Sequence, residues 1–393
     1  MKIKLLVIFG GETTEHEVSI ISALQAISNI DKSKYEVIPL YISKDKVWYT
    51  GNMLNDIEFY KDLDNNLKFA DKVVLYKNNN EFFLQKINGL FKKNIATVDI
   101  VFPIVHGKGI EDGTLCGYLD TLGIPYVGSG VLGGALGQDK VVMKQILKSE
   151  GIRVVDYTYF YDYEYFENEK EIFMKIKKIG YPVIVKPATL GSSIGINYVN
   201  DEKNISSSIN EAIKYDNKII VEKAVENLIE VNASVIGNSE YQKVSSLEEV
   251  MGLDEILSFT DKYLGNSKIK GSSKGMASTS RIIPARISEE LTNEIKETSK
   301  KVFKLLNLSG VCRIDYLIDS KTKKYYVNEP NTCPGSLSFY LWKEDGLEYK
   351  DMLDEIITLG IKDYKNRLKK VKSFDSNILK GFNGTKGSKG LKN

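Results

Sequence analysis

The chain has 393 residues, is 42% hydrophobic and 27% charged, and carries a formal net charge of +2. Near-neutral charge argues against nucleic acid or a membrane surface as a bulk partner, and no apolar run approaches the length of a membrane span. A chain this long can bury large cores and is expected to divide into two to four domains.

Residues 1–30 read as strand, turn and helix. IKLLVIFGG is a buried strand closed by glycines and is too short for a signal peptide. Polar ETTEHE follows, then Ile20, Ala23, Leu24 and Ile27 recur at helical spacing. Further strands are expected at YEVIPLYI and VDIVFPIV, which gives an α/β pattern with a parallel sheet. After VHGKGIEDGT a helix carries Leu115, Tyr118, Leu119 and Leu122 on one face, and Gly123 and Pro125 close it. A second region opens near Tyr126: a helix over 138–150, strand RVVDYTYF, a helix over 168–179, strand PVIVKPA, a polar helix near 201–215 and strand KIIVEKAV. Residues 230–260 look β-rich, and 265–280 (GNSKIKGSSKGMASTS) form an aperiodic loop expected to be mobile. Ser288 caps a long helix with Glu289 and Glu290 in its first turn. A last helix covers about 346–366, and 367–393 read as a basic, Gly-rich tail. Cys116, Cys312 and Cys333 are widely spaced with no Cys-x-x-Cys, so a reducing, cytoplasmic setting is expected.

The most informative stretch is VCRIDYLIDSKTKKYYVNEPNTCPG, residues 311–335. It reads as a hairpin: an alternating strand, a polar turn over 319–324, and the return strand YYVNEPN. Opposed residues of a hairpin share a face. An even-sum register therefore sends Arg313, Asp315, Glu329 and Asn331 to one side. Three oxygen donors beside a guanidinium suit Mg²⁺ on a polyphosphate. A solvated face of alternating charge is the other reading; it fits the lysine-rich turn better than the Asn-Thr-Cys-Pro-Gly run.

Other motifs are weaker singly. IVKPATLGSSIG puts Lys186 at a strand end before a small-residue loop that can cradle phosphate or be a plain turn; it is not a Walker-type loop. Glu222 and Glu230 stand at strand ends, where they can contact an adenine amine and a ribose hydroxyl or simply face solvent. His106 closes a strand, where a lone histidine is usually structural, and Asp112, before a helix N-terminus that favours anions, reads most simply as a cap. Glu15, His16 and Glu17 begin a helix, where acidic groups also suit the dipole.

In order and spacing, these motifs resemble the D-alanine–D-alanine ligase family of the ATP-grasp superfamily, from GGETTEHEVS to EPNTCPG. The resemblance implies three domains: an N-terminal parallel-sheet α/β domain over 1–124, a central domain over 125–229 and a C-terminal domain over 230–366. ATP would lie between the last two. It implies that Glu15 holds the first substrate's ammonium and that His106 lies near its carboxylate. Lys140 and Lys186 would meet the ATP phosphates, with Ser192 and Ser193 in a loop closing over them. Glu222, Lys223 and Val225 would form the adenine hinge, with Glu230 at the ribose. Lys262 would meet the transferred phosphate, and Tyr263 would join Glu15 and Ser192 in a hydrogen-bonded set. Arg313 and the Gly335 amide would steady the tetrahedral intermediate. Asp315, Glu329 and Asn331 would bind two Mg²⁺ ions, with Mn²⁺ an alternative.

The implied reaction joins two D-alanines through an acyl phosphate for peptidoglycan, in the cytoplasm. D-alanine and ATP are the partners, without nucleic acid or membrane insertion, and a homodimer is compatible. One departure stands out. Relatives carry a His-Ser pair at the acceptor carboxylate, where this chain has Phe339 and Tyr340. A different acceptor such as D-serine, or an ATP-binding regulatory protein without turnover, are the competing readings.

Overall fold

The computed structural model describes residues 2–87, 93–192, 194–251 and 281–373. Ser193, Lys262, Tyr263, the loop over 265–280 and residues 374–393 lie outside these. Three sheets organise the described chain.

The first sheet runs in the order β6-β5-β4-β3-β2-β1-β7. Its strands are β1 (Ile3–Gly10), β2 (Tyr35–Ile42), β3 (Trp48–Thr50), β4 (Asp71–Asn78), β5 (Glu81–Lys86), β6 (Lys93–Val98) and β7 (Ile100–Pro103). β1 pairs in parallel with β2 and β7, as the buried run of Leu5–Phe9 leads one to expect of a strand covered on both faces. Beyond β2 the sheet is antiparallel. The sequence reading left 43–97 without elements. Those strands are short, and half their side chains face solvent, so no continuous apolar run marks them.

The second sheet, in the order β10-β9-β11-β8, is antiparallel and contains β8 (Tyr157–Tyr161), β9 (Val183–Pro187), β10 (Asn197–Val199) and β11 (Lys218–Lys223). Val183, Val185, Ile219 and Val221 pack against helices Glu169–Ile179 and Ile205–Ile213 through Ile172, Ile176, Ile205 and Ile209. Strand alternation then sends Lys186 and Glu222 to the opposite face. The helix expected over 138–150 is helix Lys140–Ser149, and a separate helix, Val131–Gln138, precedes it. The break falls at Asp139, whose carboxylate accepts from the amides of Val141 and Val142 as the cap of the second helix.

The third sheet holds β12 (Leu228–Gly237), β13 (Gln242–Val244), β14 (Glu248–Val250), β15 (Arg281–Ile282), β16 (Gly310–Asp319) and β17 (Tyr325–Asn331). One face is core: Val231, Ala233, Val235, Cys312, Ile314, Tyr316, Ile318 and Val327 pack against helix Glu289–Leu305. Ser288 caps that helix through a hydrogen bond from the Leu291 amide. Each fully buried aliphatic side chain there contributes about 1.5–3 kcal/mol. The other face is polar. On the cross-strand pairing it carries Asn232 opposite both Glu248 and Asp315, Ser234 opposite Arg313, and Arg281 opposite Val250.

The hairpin of β16 and β17 has the expected register at its tip-distal end: Arg313 opposes Asn331 and Asp315 opposes Glu329. Between Asp315 and Tyr316 the register shifts, so that Tyr316 opposes Val327 and Asn328 becomes an extra residue. This bulge reconciles two demands. Val327 and Tyr325 point into the core, yet Glu329 and Asn331, of the same parity, join Asp315 and Arg313 on the polar face.

After β17 the chain crosses to the N-terminal region. Helix Tyr349–Leu368 packs Met352, Leu353, Ile356 and Ile357 into the same core as Ile20, Ala23 and Ile27 of helix His16–Asn29. Between them Ser336, Leu337 and Ser338 all adopt left-handed backbone angles, with φ of 53°, 53° and 52°. L-residues there cost about 1–3 kcal/mol each. The Trp342 indole, fully buried, anchors the turn by donating to Ser234 Oγ at 2.9 Å.

Candidate active site

The β16–β17 hairpin, the loops after β1, β7, β9 and β17, and the junction of helices Val131–Gln138 and Lys140–Ser149 meet at an open cleft of about 570 Å³. Its lining includes Glu15, His106, Lys140, Arg313, Glu329, Asn331 and Gly335. Residues more than 300 positions apart in sequence thus meet in one place.

Glu15 immediately precedes helix His16–Asn29, and the Ser192 hydroxyl donates to its Oε1. Two glycines let backbone crowd against it. A Cβ on Gly107 would lie 3.2 Å from Glu15 Oε2 and 2.1 Å from Thr13 Oγ1, and one on Gly191 would lie 2.8 Å from Glu15 Oε2. Burial raises the Glu15 pKa, and the neighbouring Glu111 carboxylate pushes it further. His106 is buried, with Nε2 3.2 Å from Ser22 Oγ, and burial lowers its pKa. Ser22 Oγ also accepts from the Ser336 amide at 2.9 Å, which ties the residue after Gly335 to His106.

The loop after β9 is held from three sides. Lys140 Nζ donates to Leu190 O at 2.7 Å and Gln138 Nε2 to Thr189 O at 2.7 Å. Buried Asp216 accepts from the Thr189 amide at 2.8 Å and pairs with Lys108 at 3.1 Å. Lys140 also pairs with Glu329 at 3.0 Å, so one lysine links the loop to the hairpin.

Lys186 and Glu222 pair at 2.8 Å, and Lys144 takes the second Glu222 oxygen at 3.1 Å. All three are buried. Burial disfavours every charge here, yet the two lysines outweigh it and lower the Glu222 pKa. Lys186 likewise stays raised against burial because Glu222 and Glu329 face it. Lys144 is driven down by burial in spite of Glu222. Asn328, the bulge residue, accepts from Lys144 through its carbonyl at 3.1 Å and from Lys186 through Oδ1 at 3.4 Å. Lys223 points away from this group, donating to Tyr181 O at 2.8 Å. Val225 and Glu230 are half-buried at the end of β11 and the start of β12.

On the hairpin, Arg313 makes a bidentate pair with Asp315 at 2.7 and 2.8 Å, and Asn331 Nδ2 donates to Asp315 at 3.0 Å. Tyr340 donates its hydroxyl to Glu248 at 3.1 Å, and its ring lies against Arg281. Asp112 is a local cap, accepting from Thr114.

Sequence reasoning passed over Glu111, Lys144, Glu248 and Arg281. Glu111 is buried, and it accepts from the Gly107 amide at 2.8 Å, the Thr332 hydroxyl at 2.7 Å and the Cys333 amide at 3.0 Å. It thereby stitches the His106 loop to the end of the hairpin. Only Lys144 left a signal: it stands one turn after Lys140 on a face otherwise apolar.

The arrangement can hold an amine at Glu15, a polyphosphate at Lys140 and Lys186, and oxygen-bound cations at Asp315, Glu329 and Asn331. Comparison with known proteins shows the family. Residues 4–129 match the family described as D-ala D-ala ligase N-terminus, and 146–358 match D-ala D-ala ligase C-terminus. The D-alanine–D-alanine ligase of Thermosipho melanesiensis is 43% identical over 375 residues, covering 95% of this chain and 97% of that protein. The D-Ala:D-Ser ligase of Enterococcus faecalis is 30% identical with a TM-score of 0.74, covering 92% of this chain and 100% of the other. The D-alanine–D-alanine ligase of Coxiella burnetii is 25% identical with a TM-score of 0.77, covering 94% and 96%. The chain therefore belongs to the D-alanine–D-alanine ligase family and has its ATP-grasp fold.

Proposed function

We propose that the chain uses ATP to join two D-alanines into D-alanyl-D-alanine for peptidoglycan. The observation that carries this reading is the meeting of Glu15, Lys140, Arg313, Glu329 and Gly335 around one cleft. Glu15 takes the ammonium of the first D-alanine, whose carboxylate then faces the phosphate-binding lysines. A carboxylate oxygen attacks the γ-phosphorus, the β,γ-bridging P–O bond breaks and ADP leaves. The amine of the second D-alanine, having lost a proton, attacks the acyl carbon; the C–O bond breaks and phosphate departs. Positioning and charge neutralisation dominate such transfers, which suits a site of fixed lysines. Arg313 and the Gly335 amide face the oxygen on which charge develops.

Asp315, Glu329 and Asn331 present two carboxylates and an amide oxygen, the hard donor set that Mg²⁺ takes. When bound there, Mg²⁺ would neutralise the phosphate oxygens during transfer. On this reading residues 1–124 supply the first-substrate contacts, while 125–229 and 230–366 enclose ATP. No helix among the described residues is long and apolar enough to cross a membrane. Free Cys116, Cys312 and Cys333 and the use of ATP suit the cytoplasm.

The test is release of ADP and phosphate with D-alanine, the dipeptide identified by mass and L-alanine as control. No turnover with D-alanine and MgATP overturns the reading. A pH profile adds a second check. The ionised Glu15 that holds an ammonium forms at higher pH than an ordinary carboxylate, because burial raises its pKa. The acid limb of kcat/KM for the first D-alanine is expected above the usual glutamate range and should vanish in Glu15→Gln. A profile flat down to the ordinary carboxylate range counts against this assignment.

A further inference from the structure

The second sheet meets the N-terminal region without a shared apolar core. Among the described residues, the hydrophobic core built on Val183, Val185, Ile219 and Val221 draws its members from residues 160–221 alone. The two cores on either side of β1 include none of them. Regions joined without a large apolar interface move relative to each other by default. Polar contacts cross instead. The Ser192 hydroxyl donates to Glu15, and Lys108, in the loop after β7, pairs with Asp216, just before β11.

The second of these contacts has the build of a latch. The Asp216 side chain is 1% exposed and is fixed from its own side: Oδ2 accepts from the Thr189 amide at 2.8 Å and from the Thr189 hydroxyl at 2.7 Å. Thr189 opens the loop that brings Gly191 and Ser192 against Glu15. Lys108 reaches Oδ1 at 3.1 Å with a side chain that is 46% exposed. Its neighbour Gly107 lies against the same Glu15, where a Cβ would stand 3.2 Å from Oε2. When the pair parts, the ammonium returns to water while the carboxylate keeps hold of Thr189. The contact therefore opens at modest cost and closes again in the same place. We infer that Lys108 is a positioning residue: through Asp216 it holds the start of the loop after β9 closed over Glu15 and slows escape of the first amino acid. That this amino acid is D-alanine rests on the ligase reading above.

Hydrogen exchange and steady-state kinetics test the latch on the full chain, as wild type, Lys108→Met, Lys108→Arg, Asp216→Asn and the double variant Lys108→Met with Asp216→Asn. Loss of a half-exposed pair to a buried carboxylate is expected to favour opening by about three- to tenfold. In the unliganded protein the amides of 189–192 should exchange faster by that factor in Lys108→Met, while those of β1 and β16 keep their rates. With MgATP, the KM for the first D-alanine should rise by about the same factor without a fall in kcat. Lys108→Arg keeps the charge and the reach and should restore both readouts. Asp216→Asn keeps an acceptor for the Thr189 amide but loses the charge. It should match Lys108→Met, and the double variant should be no worse than either single one. Unchanged exchange in Lys108→Met, additive effects in the double variant, or a fall in kcat with the first-site KM unchanged overturns the inference. If Asp216→Asn does not fold, the comparison of Lys108→Met with Lys108→Arg decides. Faster exchange in Lys108→Met, from a wild type that forms no dipeptide with D-alanine and MgATP, keeps the latch and fails the ligase reading, so the two failures are distinct.

Discussion

Replacing Glu329 by Gln is expected to lower turnover at least about a hundredfold while the protein stays folded. Glu329 opposes Asp315 across the hairpin and pairs with Lys140 at 3.0 Å. An amide of the same shape keeps the packing but removes an anionic oxygen from the proposed metal site. The loss amounts to several kcal/mol of charge stabilisation where phosphate oxygens need it most. The Glu329 side chain is 22% exposed, and Lys140, itself buried, keeps its hydrogen bond to Leu190 O at 2.7 Å, so the thermal midpoint should move by no more than about 4 °C. Raising Mg²⁺ should restore part of the rate, since mass action refills a weakened site. Loss of the Lys140 pair alone would not respond to Mg²⁺. Near-normal turnover at low Mg²⁺ places the metal site elsewhere.

Glu222→Gln should cost stability instead, by about 3–5 kcal/mol in urea or thermal denaturation. Its carboxylate is the shared partner of two buried ammonium groups, at 2.8 Å from Lys186 and 3.1 Å from Lys144. Removing it leaves two like charges facing each other without water. Lys144→Met removes one charge and leaves a matched pair, so its cost should be clearly smaller even though Lys144 is the more buried lysine. That ordering is the sharp part of the prediction: equal losses would mean that packing and not charge dominates. The pH dependence has a defined sign. The Glu222 pKa is depressed, so its stabilisation is present above the ordinary value of 4.5 and is lost as pH falls through the lower native value. Glu222→Gln should therefore flatten the acid side of the stability curve and weaken equilibrium binding of ATP, because Lys186 loses the group that aims it.

Much of this site was legible in the sequence because strand periodicity is strict. Alternation in VCRIDYLI already separated Arg313 and Asp315 from Cys312, Ile314 and Tyr316, and the structure buries them in that pattern. In PVIVKPA and KIIVEKAV the same rule sends Lys186 and Glu222 to one face, and in 288–305 the cap and apolar spacing announce the long helix. These are local properties, set by covalent geometry and by which side chains leave water.

Three features were decided only by tertiary structure. The bulge at Asn328 resolves a parity conflict between Val327 and Glu329 that no local rule reveals, because it depends on which face β12 and helix Glu289–Leu305 cover. The partners of Glu222 come from β9 and from a helix 78 positions earlier, and a charge's cost depends on its whole surroundings rather than its neighbours in sequence. Arg281, Glu248 and Tyr340 come together from two strands and a short helix after a left-handed turn. Their sequence contexts are ordinary. Only the sheet register and the anchoring of Trp342 bring them to one place.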